Sequence, residues 1–346
     1  MSRPAVTFDR VSIVFGDAPD TALPLMDKGL DRTEVQQRTG QVLGVHDCSL
    51  RVDEGEIVVL MGLSGSGKST LLRAVNGLNP VVRGGVTVHD GDWSCVPGQC
   101  SPQDLRRLRR ECVAMVFQQF GLLPWRDVRD NVVLGLELAG VPRAERIRRA
   151  DAQLELVGLS DWADRKVAEL SGGMQQRVGL ARSFATEAPI LLMDEPFSAL
   201  DPLIRTRLQD ELIELQQKLQ RTIVFVSHDL DEAFKLGDRI AIMEGGRIVQ
   251  AGTPQQIYSD PVSEYVADFV AHMNPLGVLT AADVMQPVAG PCAGAVPARA
   301  TIREVMRRLT GSDAPLRVES DGQPVGMVTR DGVMRKLSGA DQDADA

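Results

Sequence analysis

The run Glu56-Ile-Val-Val-Leu-Met61 leads straight into Gly62-Leu-Ser-Gly-Ser-Gly-Lys-Ser69, and Lys68-Ser-Thr-Leu-Leu-Arg-Ala-Val75 continues from it. That order predicts a buried strand, a glycine-rich loop and a helix that opens on the loop. The glycines allow a tight turn that brings backbone N–H groups against phosphates, Lys68 adds a point charge, and the Ser69 hydroxyl can reach a Mg²⁺ ion. Gly62, Ser64, Gly65, Ser66, Gly67, Lys68, Ser69 and Thr70 are therefore the first candidates for binding a nucleotide. Many nucleotide-using enzymes share this frame, so the loop alone does not say which reaction the chain runs.

Length and charge narrow the field. A chain of 346 residues is long enough for one sizeable core and a smaller second unit. Its net charge of −9 opposes the phosphate backbone of nucleic acids, so no nucleic-acid partner is expected. The basic stretches Leu105–Arg110 and Arg143–Arg149 read as solvated helix faces. No apolar run approaches the roughly 18–20 residues that span a bilayer, and Met1-Ser-Arg-Pro-Ala-Val has no signal-peptide core, so the chain is expected to stay on the cytosolic side and to borrow its membrane from a partner. Five cysteines with no Cys-x-x-Cys pair fit a reducing compartment and read as small apolar fillers.

A second phosphate-binding feature separates the possibilities. Ser171-Gly-Gly173, ahead of the apolar run Val178-Gly-Leu-Ala181, reads as a helix N-terminus, where unpaired N–H groups favour an anion. A chain whose own loop already holds a nucleotide needs a second such terminus only for the nucleotide of a partner molecule. The alternative is a helix cap with no ligand. Farther on, Ile190-Leu-Leu-Met-Asp-Glu195 delivers two carboxylates at the end of an apolar strand, where ligands of parallel sheets bind. Neighbouring strand residues face opposite ways, which predicts different tasks for Asp194 and Glu195.

With these motifs in this order, the sequence resembles the ATP-binding subunits of ABC transporters over about residues 5–270. The resemblance implies an α/β fold: a P-loop NTPase core with a RecA-like sheet, an antiparallel β edge and a helical subdomain over about 105–164. It implies ATP and Mg²⁺ as cofactors and a homodimer in which each ATP is clamped between one phosphate loop and the partner's Ser171, Gly172 and Gly173. On its residue pattern Asp194, Ser69 and Gln118 would hold Mg²⁺. Glu195 would polarise the attacking water, with Gln118, Lys68 and His228 completing the catalytic set. His228 ends the apolar run Thr222–Ser227; a lone histidine after a strand is otherwise structural. Asp201, in Ser198-Ala-Leu-Asp201, would couple the two sites and reads equally as an N-cap before Pro202. Phe15 would stack on adenine or else pack in the core. Phe120–Trp125 would dock a transmembrane permease subunit, or belong to local core.

Other stretches concern the branch of the family. Val6–Phe15 alternates like an edge hairpin strand, and Gly16–Gly40 then interrupts with prolines, charges and no clear period. That insert, Leu123-Pro-Trp125 and Met174 in the Ser-Gly-Gly motif resemble ATP-binding subunits of glycine betaine, proline and choline uptake systems. Such a subunit energises import from the cytoplasmic face of a bacterial inner membrane and is served by a substrate-binding protein. Competing readings are an importer ATPase for another small solute, a soluble ABC ATPase not coupled to transport, and a ligand sensor whose ATPase is silent. Residues 1–273 form the nucleotide-binding domain in this scheme. Within 274–346, Asp283-Val-Met285, Thr301–Leu309 and Pro324–Val333 resemble one cystathionine-β-synthase-type (CBS) α/β module, paired across a dimer or a remnant, and Asp341–Ala346 reads as a frayed acidic end.

Overall fold

The computed structural model describes residues 3–271, 273–310, 314–320 and 322–337; the acidic end Asp341–Ala346 lies outside them. The chain divides into two compact units, residues 1–229 with 236–251, and residues 230–235 with 252–346. Residues 252–273 thus group with the C-terminal unit, on the far side of the division expected at 273/274.

The first unit is built on the strands β1 (Pro4–Phe15), β2 (Val42–Asp53), β3 (Ile57–Met61), β4 (Arg83–Asp90), β5 (Trp93–Cys95), β6 (Val113–Val116), β7 (Ile190–Asp194), β8 (Thr222–Val226), β9 (Arg239–Glu244) and β10 (Arg247–Gly252). They form a six-stranded sheet in the order β10-β9-β3-β8-β7-β6 and a four-stranded sheet in the order β2-β1-β4-β5. The contacts of β3 with β8 and β9, and of β7 with β6 and β8, are parallel. Every residue of β3, β7 and β8 is buried, because the centre of a parallel sheet is covered on both faces and selects continuous apolar runs. This places the carboxyl ends of β3, β7 and β8, and whatever follows them in sequence, along one rim.

Three local expectations change. Val6–Phe15 belongs to β1, which lies between β2 and β4 with antiparallel partners on both sides, so it is an interior strand and not an edge. The stretch 105–164 opens in the helix Pro102–Arg107 and a π-helical turn at Leu108–Cys112, then gives β6 to the main sheet before returning to helix at Val128–Leu138 and Arg143–Leu156; these last two helices pack with Gly172–Ala185. The insert after Phe15 is ordered: a 3₁₀ turn at Pro19–Ala22, then helices Leu23–Asp27 and Arg32–Thr39. Asp31 and Glu34 form a reciprocal capping box at the start of the last helix, and Gly40, at φ +70°, ends it. Val14, Ala22, Met26, Val35 and Leu43 give the insert a small core of its own.

The second unit carries a three-stranded sheet: β11 (Gly294–Pro297) runs parallel to β12 (Leu316–Ser320), and β13 (Gln323–Val328) returns antiparallel to it. Helices Ile302–Leu309 and Arg330–Leu337 supply Ile302, Val305, Leu309 and Val333 to a core shared with Val296, Val318 and Val328. The unit is a small α/β module, as the resemblance of Thr301–Leu309 and Pro324–Val333 implied.

Candidate functional site

Gly62, immediately after β3, adopts φ +137°, and a Cβ there would fall 2.1 Å from the Met243 carbonyl oxygen, so only glycine lets the loop leave the sheet this way. Gly67, at φ +103°, caps the helix Lys68–Ala74 that begins beneath the loop. The buried Lys68 ammonium donates to the carbonyls of Gly62 at 2.8 Å and Leu63 at 2.9 Å, and so closes the loop on itself. Burial pushes the Lys68 pKa below the ordinary lysine value, and the carboxylates of Glu195 and Asp194 oppose that shift.

The Ser69 hydroxyl donates to Asp194 Oδ1 at 2.6 Å, and Arg73, one turn farther along the same helix, pairs with Oδ2 at 2.8 Å. Asp194 is fully buried, so both carboxylate oxygens have the partners that burial demands. β7 ends at Asp194, and Glu195 swings away with φ +49°, a left-handed conformation unusual outside glycine. The two carboxylates do separate, then, but through this turn rather than through strand alternation. Glu195 Oε2 receives Gln118 Nε2 at 3.2 Å and lies 3.5 Å from His228 Nδ1.

A cleft joins these pieces: Phe15, Lys68, Ser69, Thr70, Gln118 and Glu195 line it, together with Ser64, Gly65 and Gly67 of the loop. Gly62 and Ser66 build the loop without lining the cleft, and Ser66 is buried. Phe15 is 37% exposed, and Gly44 must be small beside it, since a Cβ there would come within 2.8 Å of the ring. Ser171, Gly172, Gly173 and Asp201 are not among the lining residues of this cleft. Ser171 caps Gly172–Ala185 by accepting from the Met174 N–H at 3.4 Å, and Asp201 caps Pro202–Leu219 by accepting from the Ile204 N–H at 3.0 Å. Ser171 and Asp201 are exposed and Gly173 is half-buried.

Three participants escape the sequence motifs. Arg73 completes the Asp194 pair. Gln176, only 1% exposed, donates to the Glu195 carbonyl at 3.1 Å and accepts from the Ala199 N–H at 3.0 Å, tying the signature helix to the loop behind the carboxylate. Arg32, from the insert, lines the cleft. For Arg73 the signal was its position four residues after Ser69, on the same helix face; the other two contacts have no counterpart in spacing.

Residues 45–198 match the ABC transporter family and residues 281–339 the CBS domain. The glycine betaine/proline betaine transport system ATP-binding protein ProV of Escherichia coli is 50% identical over 271 residues, 78% of this chain and 67% of its own. The trimethylamine N-oxide transport system ATP-binding protein TmoW of Ruegeria pomeroyi is 44% identical over 343 residues, 96% of this chain and 97% of its own. Among solved structures, the dimeric ATP-binding cassette MJ0796 bound to ADP and Pi superimposes with a TM-score of 0.61 at 29% identity, covering 72% of this chain and 98% of that one. No helix among the described residues is long and apolar enough to cross a membrane. The chain belongs to the ABC transporter family, as an ATP-binding and ATP-hydrolysing subunit that carries a CBS domain.

Proposed function

We propose that this chain energises import of a small solute with a fully methylated nitrogen, choline or glycine betaine first, through a separate permease at the cytoplasmic face of the bacterial inner membrane. The observation that carries the reading is the convergence of Lys68, Ser69, Gln118 and Glu195 on one cleft, with Asp194 seated behind Ser69. The cargo class rests on the relatives, whose names include glycine betaine, proline betaine and carnitine. TmoW matches along nearly its whole length and favours trimethylamine N-oxide as a second cargo of the same chemical kind.

In this reading residues 1–273 bind and hydrolyse ATP, Phe15 stacks on adenine, and the phosphate loop from Gly62 to Thr70 holds the phosphates. The donor set suits Mg²⁺: hard oxygens from Ser69 and Asp194, with the Gln118 amide nearby, and no group of three or more His, Cys, Asp or Glu that could cage a metal among the described residues. Mg²⁺ takes one or two protein oxygens and completes its shell with phosphate and water, and when bound it neutralises charge on the phosphates. Glu195 then accepts a proton from water held by Gln118, His228 contacts the γ-phosphate, and Lys68 balances the charge that develops on the phosphoryl oxygens.

A homodimer completes each site with Ser171, Gly172, Gly173 and Asp201 of the other copy. Their absence from this chain's own cleft lining supports that arrangement, as does the dimeric relative. Phe120–Trp125 is the permease-docking segment: Trp125 is 69% exposed, and Gly121 lines a groove with Met115, Phe117, Leu134 and Leu138 that Arg109, Arg110 and Arg182 also border. Residues 274–346 form the regulatory module.

The test is uptake of labelled choline, glycine betaine and trimethylamine N-oxide by cells lacking other routes, with the wild-type chain or Glu195→Gln. Loss of one cargo in the variant supports the importer and names its substrate. Persistence of all three at wild-type rates removes the methylated-amine assignment.

A further inference from the structure

Arg32 is the first residue of the helix Arg32–Thr39, and its guanidinium makes two contacts outside the insert. Nη1 donates to the carbonyl of Gly65, at the apex of the phosphate loop, and Nη2 donates to the carbonyl of Gly44 in β2, beside Phe15. Two further glycines make room for the guanidinium. A Cβ on Gly246 would fall 2.7 Å from Nη2, and one on Gly67 would fall 3.3 Å from it. Arg32 Nε is buried and has no partner, and the residue lines the same cleft as Phe15 and Lys68. A permanent cation lining a cleft for a polyanion places fixed positive charge where an anion binds.

We propose that residues 16–40 are a working part of the nucleotide site: Arg32 positions the phosphate loop by bolting Gly65 to Gly44 and supplies fixed positive charge to the phosphates of the bound nucleotide. The capping box at Asp31 and Glu34 and the buried Val35 hold the guanidinium in place, so the cation arrives preorganised. Lysine would keep the charge but could not span both carbonyls with a planar fork. The proposal rests on the reading of this cleft as the ATP site.

Binding of ATP and of AMP to the purified full chain, with steady-state ATP hydrolysis, tests it in four proteins: wild type, Arg32→Met, Arg32→Lys and Lys68→Ala. Arg32→Met keeps most of the side-chain volume and removes the charge. Loss of a charge-assisted contact predicts about tenfold weaker ATP binding in Arg32→Met, a smaller loss for AMP, and a raised KM with little change in kcat. Arg32→Lys recovers part of the ATP affinity, while the thermal midpoint without nucleotide falls in both variants, since each loses the fork between Gly65 and Gly44. Wild-type ATP affinity in Arg32→Met, with ATP binding lost in Lys68→Ala, overturns the role of Arg32 and leaves the site intact. Equal losses for ATP and AMP with no recovery in Arg32→Lys also overturn it, because they describe a scaffold contact alone. Wild-type affinity in Lys68→Ala overturns the site reading and this proposal with it.

Discussion

The Ser69 hydroxyl and Asp194 Oδ1, 125 positions apart in the chain, lie 2.6 Å apart and join the end of the phosphate loop to the end of β7. The bond couples the two motifs on which hydrolysis depends, and Arg73 at 2.8 Å from Oδ2 makes the carboxylate fully paired in a fully buried position. Asp194→Asn keeps the shape but removes the charge that Arg73 answers. Arg73 is partly exposed and can turn to water, so the expected loss of stability is about 2 kcal/mol, below the 3–5 kcal/mol typical of a wholly buried pair. Ser69→Ala removes one hydrogen bond at about 1 kcal/mol. Urea unfolding measures both losses. Turnover separates the roles further: both variants should lose about a hundredfold or more in rate at saturating Mg²⁺. A Ser69→Ala protein with wild-type turnover would show that the hydroxyl only braces Asp194.

The second prediction concerns Gln176, whose amide holds both sides of the turn that aims Glu195. Gln176→Ala removes one donor to the Glu195 carbonyl, which keeps Ser198 Oγ at 3.0 Å, and takes the acceptor from the exposed Ala199 N–H, which costs about 1–2 kcal/mol for the two bonds together. The left-handed backbone at Glu195 persists only while its surroundings hold it, so the carboxylate should drift and kcat should fall with KM for ATP nearly unchanged. Gln176→Glu retains an acceptor for Ala199 but buries a carboxylate against the Glu195 carbonyl, and should be no more stable than Gln176→Ala. An unaltered kcat in Gln176→Ala would assign the aiming of Glu195 to the packed Phe197 and Phe225 rings, 5.8 Å apart beneath the loop.

These two cases mark where the sequence was readable. β3, β7 and β8 are wholly buried parallel strands, so their apolar runs and the residues ending them, Gly62, Asp194 and Glu195, could be located from pattern alone. The helix at Ile302–Leu309 was equally legible, since Ile302, Val305 and Leu309 recur at helical spacing. The insert was not: its last helix buries only Val35, too little to write a period, and it is fixed by the Asp31–Glu34 box and a five-residue core. β1 is interior although its alternation resembles an edge strand, because alternation reports how many faces are buried and says nothing of how many neighbours a strand has. Arg32 and Gln176 were invisible for a related reason. Each bonds to backbone carbonyl or amide groups far away in sequence, and such groups leave no mark on residue type.

The last prediction tests the reading of the cysteines as apolar fillers. Burial pushes the Cys48 thiol up to about 11, and burial pushes Cys112 and Cys95 to about 12, with Asp90 adding to the first of these and Cys100 to the second. The ordinary thiol value is 9.0, so the folded chain holds these protons more tightly than the unfolded one. The stability they contribute is fully present below pH 9 and is lost as pH rises through 11 to 12, at up to about 1.4 kcal/mol per pH unit for each thiol. At pH 8 a thiol-specific reagent should reach the part-exposed Cys100 and Cys292 first and spare Cys48, Cys95 and Cys112 until the protein unfolds. Raising the pH through 11 should expose the buried thiols to reagent together with a fall in the unfolding midpoint, and Cys48→Ala should flatten that fall. Labelling of Cys48 or Cys112 at pH 8 as fast as Cys292 would mean that the core around β2 and β6 opens in the native state.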